Sequence, residues 1–230
     1  MNRTSDFSTD QGAATIVKQT GIWRDHSQLP IYSFIKRMLD IFLSIFGIFL
    51  TLPLWLCIAI LIKLSSRGPV FFTQVRAGLN GKPFRMYKFR SMVVDAEDRL
   101  NDLIDINNLE EPVFKIKNDP RVTLAGRILR RTSLDELPQI INVLKGEMSL
   151  IGPRPEELRI VEKYNEYQQA RLKTKPGITG YQQIMNRGES SFSRRFHYDL
   201  IYLNNQNLFM DFYIVFMTVP VVLLGKGTTH

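Results

Sequence analysis

The feature that most constrains this chain is an uninterrupted apolar run, IFLSIFGIFLTLPLWLCIAILI, between Ile41 and Ile62. As a helix it would be about 33 Å long, which matches the hydrocarbon core of a bilayer. The run begins about forty residues into the chain and is too long for a cleaved signal peptide. We therefore predict a membrane helix rather than the buried helix of a soluble domain.

Two details leave the path of this helix through the bilayer open. Pro53 lies near its middle, where proline removes a backbone hydrogen bond and bends or breaks a helix. Basic residues flank both ends, whereas the positive-inside rule normally leaves one end poor in them. They are Arg24, Lys36 and Arg37 before the run and Lys63, Arg67, Arg76 and Lys82 after it. A helix that enters, kinks and leaves on the same face explains both details; a straight span with a mild kink is the alternative.

The net charge indicates what kind of partner the chain binds, and the cysteine count limits its covalent and metal cross-links. The chain has 230 residues and 30 Lys and Arg against 22 Asp and Glu, a formal charge of +8. This excess favours a polyanion, which can be nucleic acid, an anionic membrane surface or a phosphorylated substrate. Because Cys57 is the single cysteine, an intrachain disulfide and a cysteine-based zinc cluster are excluded.

Downstream of the apolar run, short apolar stretches alternate with basic clusters and Pro/Gly turns. The predicted elements are strands at Val70-Phe71-Phe72 and Phe84–Tyr87 around the turn Asn80-Gly81, helices at Leu124–Arg130 and at Leu137–Lys145 before Gly146, and a charged amphipathic helix over Pro155–Lys173. We therefore expect an α+β fold that is compact and mostly helical, with a small β element.

These patterns divide the chain into four parts. Residues 1–30 are polar and predict a flexible extension, residues 31–64 carry the membrane helix, and residues 65–207 form the compact domain. Residues 208–230 contain the apolar stretch LFMDFYIVFMTVPVVLL, which Asp211 and Pro220 interrupt. We predict an interfacial amphipathic helix there, with a C-terminal core helix as the alternative.

The densest functional stretch, RILRRTSLDELPQIINVLKGEMSLIGPRPE, centres on the adjacent carboxylates Asp135 and Glu136. Ser133-Leu-Asp-Glu136 has the form of a capping box, although the helix can instead begin at Pro138. In both registers the pair lies near a helix N-terminus, where an ionised aspartate can act as a nucleophile and its neighbour can bind Mg²⁺. Simple helix capping is the competing interpretation.

Other charged residues are less specific on their own. Lys88 in YKFRSM can bind phosphate or form a solvated strand face, and Arg187 belongs to a second basic group. Asp199 is a candidate metal or substrate ligand, or else a structural cap. The loop GITG lacks the P-loop pattern, so nothing supports a nucleoside triphosphatase.

Several motifs in one order resemble a known family, the monotopic bacterial phosphoglycosyl transferases. They are KRMLD, GPVFFTQVRAGLNGKPFRMYKFRSM, PVFKIKNDPRVTLAGRILRRTSLDELPQIINVLKGEMSLIGPRP and KPGITGYQQI. The resemblance runs from about Ile35 to Thr218, and it is to compact, exopolysaccharide-type members that lack preceding membrane spans.

The resemblance implies a two-step reaction. Asp135 would attack the sugar-bearing phosphate of a UDP-sugar, releasing UMP and forming a covalent phosphosugar intermediate that undecaprenyl phosphate then accepts. The residues implied to contact phosphate are Lys88, Arg130, Arg154 and Arg187. Glu136 would bind the cofactor Mg²⁺, and Asp199 matches an acidic position near the site. Direct transfer in a ternary complex, with Asp135 as a base, is the enzymatic alternative.

The resemblance also implies a location and partners. It favours the re-entrant path, kinked at Pro53, with both helix ends and the catalytic domain on the cytoplasmic face of the bacterial inner membrane. The expected partners are membrane lipids, downstream glycosyltransferases and, in a homo-oligomer, further copies of the chain. No nucleic acid is expected, because no helix-turn-helix or RNP-like aromatic pattern occurs. The non-enzymatic alternative is a membrane-tethered basic scaffold or nucleic-acid binder.

Overall fold

A computed structural model describes residues 30–99, 116, 119–185 and 192–223 of the chain. Its longest element is helix α1 (Pro30–Ser65), which includes Pro53 and is long and apolar enough to cross a membrane. The buried side chains of α1 fall at its two ends, Tyr32, Asp40 and Ser44 before the middle and Ile58 and Ile62 after it. Between Ser44 and Ile58 every position is partly or fully exposed. Both ends of α1 therefore pack on the described part of the protein, whereas its apolar middle stays largely exposed and contacts the domain through Trp55.

A hairpin follows α1, as the sequence predicts. Strand β1 (Phe71–Ala77) pairs antiparallel with β2 (Pro83–Phe89), with Phe71 opposite Phe89 and Ala77 opposite Pro83. A 3-10 turn over Leu79–Gly81 connects them, and Asn80 and Gly81 have φ of 56° and 74°. Asparagine and glycine tolerate this left-handed backbone better than other residues, which explains the local sequence.

Two short helices then surround the acidic pair. Helix α2 (Leu124–Thr132) begins at Thr123, whose hydroxyl accepts a hydrogen bond from the Gly126 amide, and ends at Ser133 with φ 57°. A separate 3-10 turn spans Leu134–Glu136, and helix α3 (Gln139–Lys145) ends at Gly146 with φ 82°. Ser133 makes no side-chain cap, so the predicted capping box is wrong. The other register, with the helix starting after Pro138, is the one found.

The remaining described elements form the far side of the domain. They are β3 (Ser149–Ile151), α4 (Leu158–Val161), α5 (Glu166–Gln169), a 3-10 turn (Ala170–Lys173), β4 (Gly177–Thr179), α6 (Tyr181–Met185), α7 (Phe192–Asn204) and α8 (Leu208–Leu223). Strands β3 and β4 pair in parallel. The predicted single helix over Pro155–Lys173 is wrong, because Asn165 and Gln168 form a capping box that starts α5 anew.

Small apolar clusters hold these elements together. One joins Ile58 and Ile62 of α1 to Phe89 and Leu129, and another joins strand β3 to Tyr202, Leu203 and Ile214 of the C-terminal helices. In α8, Ile214 is buried while Phe209 and Phe216 are exposed. The fold is thus mostly helical with small sheets and one long apolar helix, which confirms the predicted α+β class. The predicted extension at residues 1–30 lies almost wholly outside the described residues.

Candidate active site

The acidic pair lies on the 3-10 turn between α2 and α3, directly above an apolar cluster. Leu134 precedes the pair and Leu137 follows it, and both pack against the buried residues of this cluster. Those residues are Ile58 and Ile62 of α1, Phe89 of β2 and Leu129 of α2. Apolar contacts on both sides of Asp135 and Glu136 therefore fix the turn, and two residues of the cluster come from α1.

Glu136 is held by two cations from different segments. Its Oε1 accepts a hydrogen bond from Lys88 Nζ at 3.2 Å and another from Arg154 Nη2 at 2.8 Å. Lys88 lies on β2, and Arg154 lies in the loop that follows β3. Burial acts to raise the pKa of Glu136, but Arg154 and Lys88 outweigh it and lower this pKa to about 2. Glu136 is therefore ionised at neutral pH.

Asp135 has different surroundings, although it is adjacent. Its side chain is buried, and within the described part of the chain no hydrogen bond reaches its carboxylate. Burial raises the pKa of Asp135, Lys88 opposes this, and the negative charge of Glu136 adds to it. A carboxylate with uncommitted oxygens and raised basicity is suited to act as a nucleophile or a base.

Three of the predicted phosphate contacts surround this pair. Arg154 and Lys88 reach Glu136 directly, and Arg130 is oriented by a 2.9 Å hydrogen bond from its Nε to Ser91 Oγ. Burial lowers the pKa of Lys88, and Glu136 opposes that shift. Arg187 lies outside the described residues, so its role stays a prediction. Cations clustered around two carboxylates are the arrangement expected where a diphosphate binds.

Asp199 is not in contact with the acidic pair. Its Oδ2 lies 2.7 Å from Arg171 Nη2, and burial raises the pKa of Asp199 to about 6 although Arg171 opposes this. Arg171 also contacts Glu156 and the Tyr164 hydroxyl. Arg171 was not among the predicted site residues, because it lies in the stretch predicted as one amphipathic helix. A basic residue in such a helix is normally part of a solvated face.

The carboxylate oxygens of the acidic pair suit a magnesium ion whose other coordination positions are filled by the substrate. Both cations bind Oε1 of Glu136, which leaves Oε2 and the Asp135 carboxylate as oxygen donors. Among the described residues no cluster of three or more His, Cys, Asp or Glu side chains occurs. Mg²⁺ usually takes one or two carboxylates and fills its remaining positions with phosphate oxygens and water, so this small donor set suits it.

Comparisons with known proteins show which family this chain is similar to. A family model described as "Bacterial sugar transferase" matches residues 31–225. Exopolysaccharide production protein ExoY of Rhizobium meliloti (strain 1021) is 40% identical over 217 residues, covering 93% of this chain and 94% of ExoY.

Two longer relatives match over a smaller share of their length. Galactosyl transferase CpsE of Streptococcus agalactiae serotype III (strain NEM316) is 45% identical over 193 residues, covering 84% of this chain and 43% of CpsE. The UDP-glucose:undecaprenyl-phosphate glucose-1-phosphate transferase of Escherichia coli (strain K12) is 44% identical over 201 residues, covering 84% of this chain and 41% of the relative. The chain thus spans nearly all of ExoY but less than half of these two proteins.

Proposed function

The chain belongs to the bacterial sugar transferase family, and on that premise we propose that it transfers a sugar 1-phosphate from a UDP-sugar to undecaprenyl phosphate and releases UMP. The observation that carries the proposal is the pair Asp135 and Glu136, set among Lys88, Arg130 and Arg154. The name of the Escherichia coli relative, a UDP-glucose:undecaprenyl-phosphate glucose-1-phosphate transferase, supports both substrates. The similarity to ExoY supports a place in exopolysaccharide production.

The proposed chemistry has two displacements at one phosphorus atom. In the first, an Asp135 oxygen attacks the sugar-bearing phosphorus of the UDP-sugar, and the bond to the bridging oxygen breaks so that UMP leaves. In the second, an oxygen of undecaprenyl phosphate attacks the same phosphorus, and the bond to Asp135 breaks. The products are the lipid diphosphosugar and a regenerated carboxylate. Among the described residues no hydrogen bond reaches the Asp135 carboxylate, which supports its role as nucleophile.

The neighbouring groups bind and neutralise the diphosphate. Arg154, Lys88 and Arg130 supply positive charge in a partly buried site, where it stabilises the charge that develops on the leaving UMP. Glu136 would hold Mg²⁺ beside Asp135, and the bound ion would add further charge neutralisation on the phosphate oxygens. Glu136 is ionised at neutral pH, as a metal ligand must be.

The lipid substrate requires the site to lie at a membrane surface, and α1 supports this placement. Both ends of α1 pack on the same domain while its exposed middle carries Phe49 and Leu50, so we propose a re-entrant helix kinked at Pro53. Basic residues at both flanks agree with two cytoplasmic ends. Exposed Phe209 and Phe216 on α8 support an interfacial position for that helix.

A panel of UDP-sugars tests the activity. Purified full-length protein is incubated with each sugar nucleotide, Mg²⁺ and undecaprenyl phosphate, and UMP release is measured with and without the lipid. We expect lipid-dependent UMP release for one member of the panel, with loss of this activity in Asp135→Asn. The matched control is Asp95→Asn, which removes an exposed carboxylate paired with Arg99. Absence of lipid-dependent UMP from every nucleotide would overturn the proposal.

A further inference from the structure

The loop that carries Arg154 is tied down at almost every residue. Three of its ties are backbone hydrogen bonds to neighbouring strands: Gly152 N to Thr179 O (2.9 Å), Gly177 N to Pro153 O (2.8 Å) and Ala77 N to Glu156 O (2.9 Å). The fourth tie is a side chain, since Arg171 Nη2 donates to the carbonyl oxygen of Arg154 at 2.9 Å. The position of Arg154 in this loop therefore depends directly on the Arg171 side chain.

Arg171 is itself held in one orientation by a buried set of acceptors. Its Nη2 lies 2.7 Å from Asp199 Oδ2, and its Nη1 donates to the Tyr164 hydroxyl at 2.9 Å. Its guanidinium also lies over the ring of Phe196, 4.8 Å from the centroid. The side chains of Arg171 and Asp199 are only 5% and 3% exposed, so neither is free to seek solvent. The contact between Arg171 and Asp199 therefore fixes the guanidinium group that donates to the carbonyl oxygen of Arg154.

The backbone position of Arg154 determines where its side chain contacts the acidic pair. Its Nη2 reaches Glu136 Oε1 at 2.8 Å, while its side chain is 43% exposed and open to a ligand. Pro153 and Pro155 flank it, which fixes the φ angles on both sides and restricts Arg154 to extended conformations. Because the flanking prolines cannot compensate, a rotation of the Arg154 peptide would move the Arg154 guanidinium.

We propose that Asp199 and Arg171 are positioning residues that hold the Arg154 guanidinium where it binds the diphosphate of the sugar nucleotide. The proposal rests on the proposed function and refines it, because it gives Asp199 a role through Arg154 instead of direct contact with metal or substrate. The ligand class is a nucleoside diphosphate.

A second buried cluster of the same kind provides a matched control. Asp211 accepts from Lys36 at 2.8 Å and from the hydroxyls of Tyr32 and Tyr202 at 2.9 and 2.8 Å. This cluster joins α1 to α8 and makes no contact with Arg154. Asp211→Asn therefore removes a buried carboxylate from a cation, as Asp199→Asn does, without changing the hydrogen bond from Arg171 to the carbonyl oxygen of Arg154.

A double-mutant cycle on the full-length protein in lipid nanodiscs tests whether Asp199 affects ligand binding through Arg154 or independently of it. The dissociation constant of UDP, in the presence of Mg²⁺, is measured by calorimetry for the wild type, Asp199→Asn, Arg154→Ala and the double variant. We expect Arg154→Ala to weaken binding about 30-fold and Asp199→Asn about tenfold, in the range of a charge-assisted hydrogen bond. In the Arg154→Ala background, Asp199→Asn should change affinity by less than about twofold.

The control and a milder variant keep the result interpretable. Asp211→Asn should leave UDP affinity within about twofold of the wild type, alone and with Arg154→Ala. Tyr164→Phe, which keeps the ring packed on Phe196, loosens Arg171 without removing a charge and should show a smaller, equally non-additive loss. It replaces Asp199→Asn if circular dichroism shows that the latter does not fold.

The outcomes distinguish this inference from the proposed function. Wild-type binding of UDP with an additive cycle, or with no effect of Asp199→Asn and Tyr164→Phe, overturns the positioning role and leaves the transferase proposal intact. A wild-type protein that does not bind UDP overturns both. Unchanged UDP binding in Arg154→Ala would also contradict the inference, since Arg154 would then not contact the diphosphate.

Discussion

Truncation of Ile62 tests whether the long apolar helix α1 supports the acidic pair. Ile62 is 1% exposed and lies in the cluster that also contains Phe89 and Leu129. Leu134 and Leu137, on either side of Asp135 and Glu136, pack against that cluster. Ile62→Ala therefore leaves a cavity next to the turn that carries Asp135 and Glu136.

The expected loss can be worked from this burial. The substitution removes three carbons, which at about 0.8 kcal/mol each gives about 2.4 kcal/mol of lost transfer free energy. Incomplete collapse of the cavity adds to this, so we expect about 3 kcal/mol, within the range for buried Ile→Ala changes. For a protein of this size that corresponds to a fall in Tm of about 6–12 °C.

Ile60→Ala is the matched control, two residues away on the same helix. Ile60 is 52% exposed and lies outside the cluster, so its truncation leaves no cavity under the turn. Thermal unfolding in nanodiscs can be followed by the fluorescence of Trp55, whose ring centroid lies 5.3 Å from that of Phe89. UMP release measured well below Tm should also fall in Ile62→Ala. Equal Tm shifts in the two variants, or unchanged activity in Ile62→Ala, would refute the reasoning.

Three further predictions concern the site and its supports. Because cations lower the pKa of Glu136 from 4.5 to about 2, its ionised form stabilises the fold above that ordinary value and loses this effect as pH falls. Calorimetric Tm values for Glu136→Gln should thus lie below wild type at neutral pH and converge with it as pH drops from 4.5 toward 2; a constant gap would contradict this. Arg37→Ala removes hydrogen bonds of 2.6 and 2.8 Å to the last carbonyls of α3, and chemical denaturation should show a loss of about 1–3 kcal/mol. Lys88→Ala should lower kcat/KM for the UDP-sugar by about 10- to 100-fold, whereas Lys82→Ala, exposed on the hairpin turn, should not.

Local signals predicted the elements that are determined locally. The apolar run predicted α1, Asn80-Gly81 predicted the hairpin turn, and Gly146 predicted the end of α3. The structure extends α1 back to Pro30, beyond the apolar run. Polar residues such as Asp40 belong to this extension because they pack on the domain, where Asp40 accepts from the Leu150 amide and the Ser149 hydroxyl. Their partners lie far along the chain, so no local pattern could identify them.

The errors in the prediction have local as well as tertiary origins. The pattern Ser-x-x-Glu at Ser133 predicts a capping box, yet this serine takes a left-handed conformation that ends α2. Asn165 and Gln168 do form such a box, and it divides the stretch that was predicted as one helix. Within the site, Lys88 and Arg154 meet at Glu136, whereas the resemblance implied only that both contact phosphate. The pairing of Asp199 with Arg171 depends on tertiary packing alone.

The central claim is that Asp135 carries the phosphosugar between the two substrates. Its most direct test is intact-mass analysis of the purified protein after incubation with the active UDP-sugar and no lipid, followed by peptide mapping. We predict a gain equal to one sugar phosphate on the peptide that contains Asp135, with loss of the adduct when undecaprenyl phosphate is added. Asp135→Asn should gain no mass. Full lipid-dependent UMP release without an adduct would contradict the claim and favour direct transfer in a ternary complex, with Asp135 as a base.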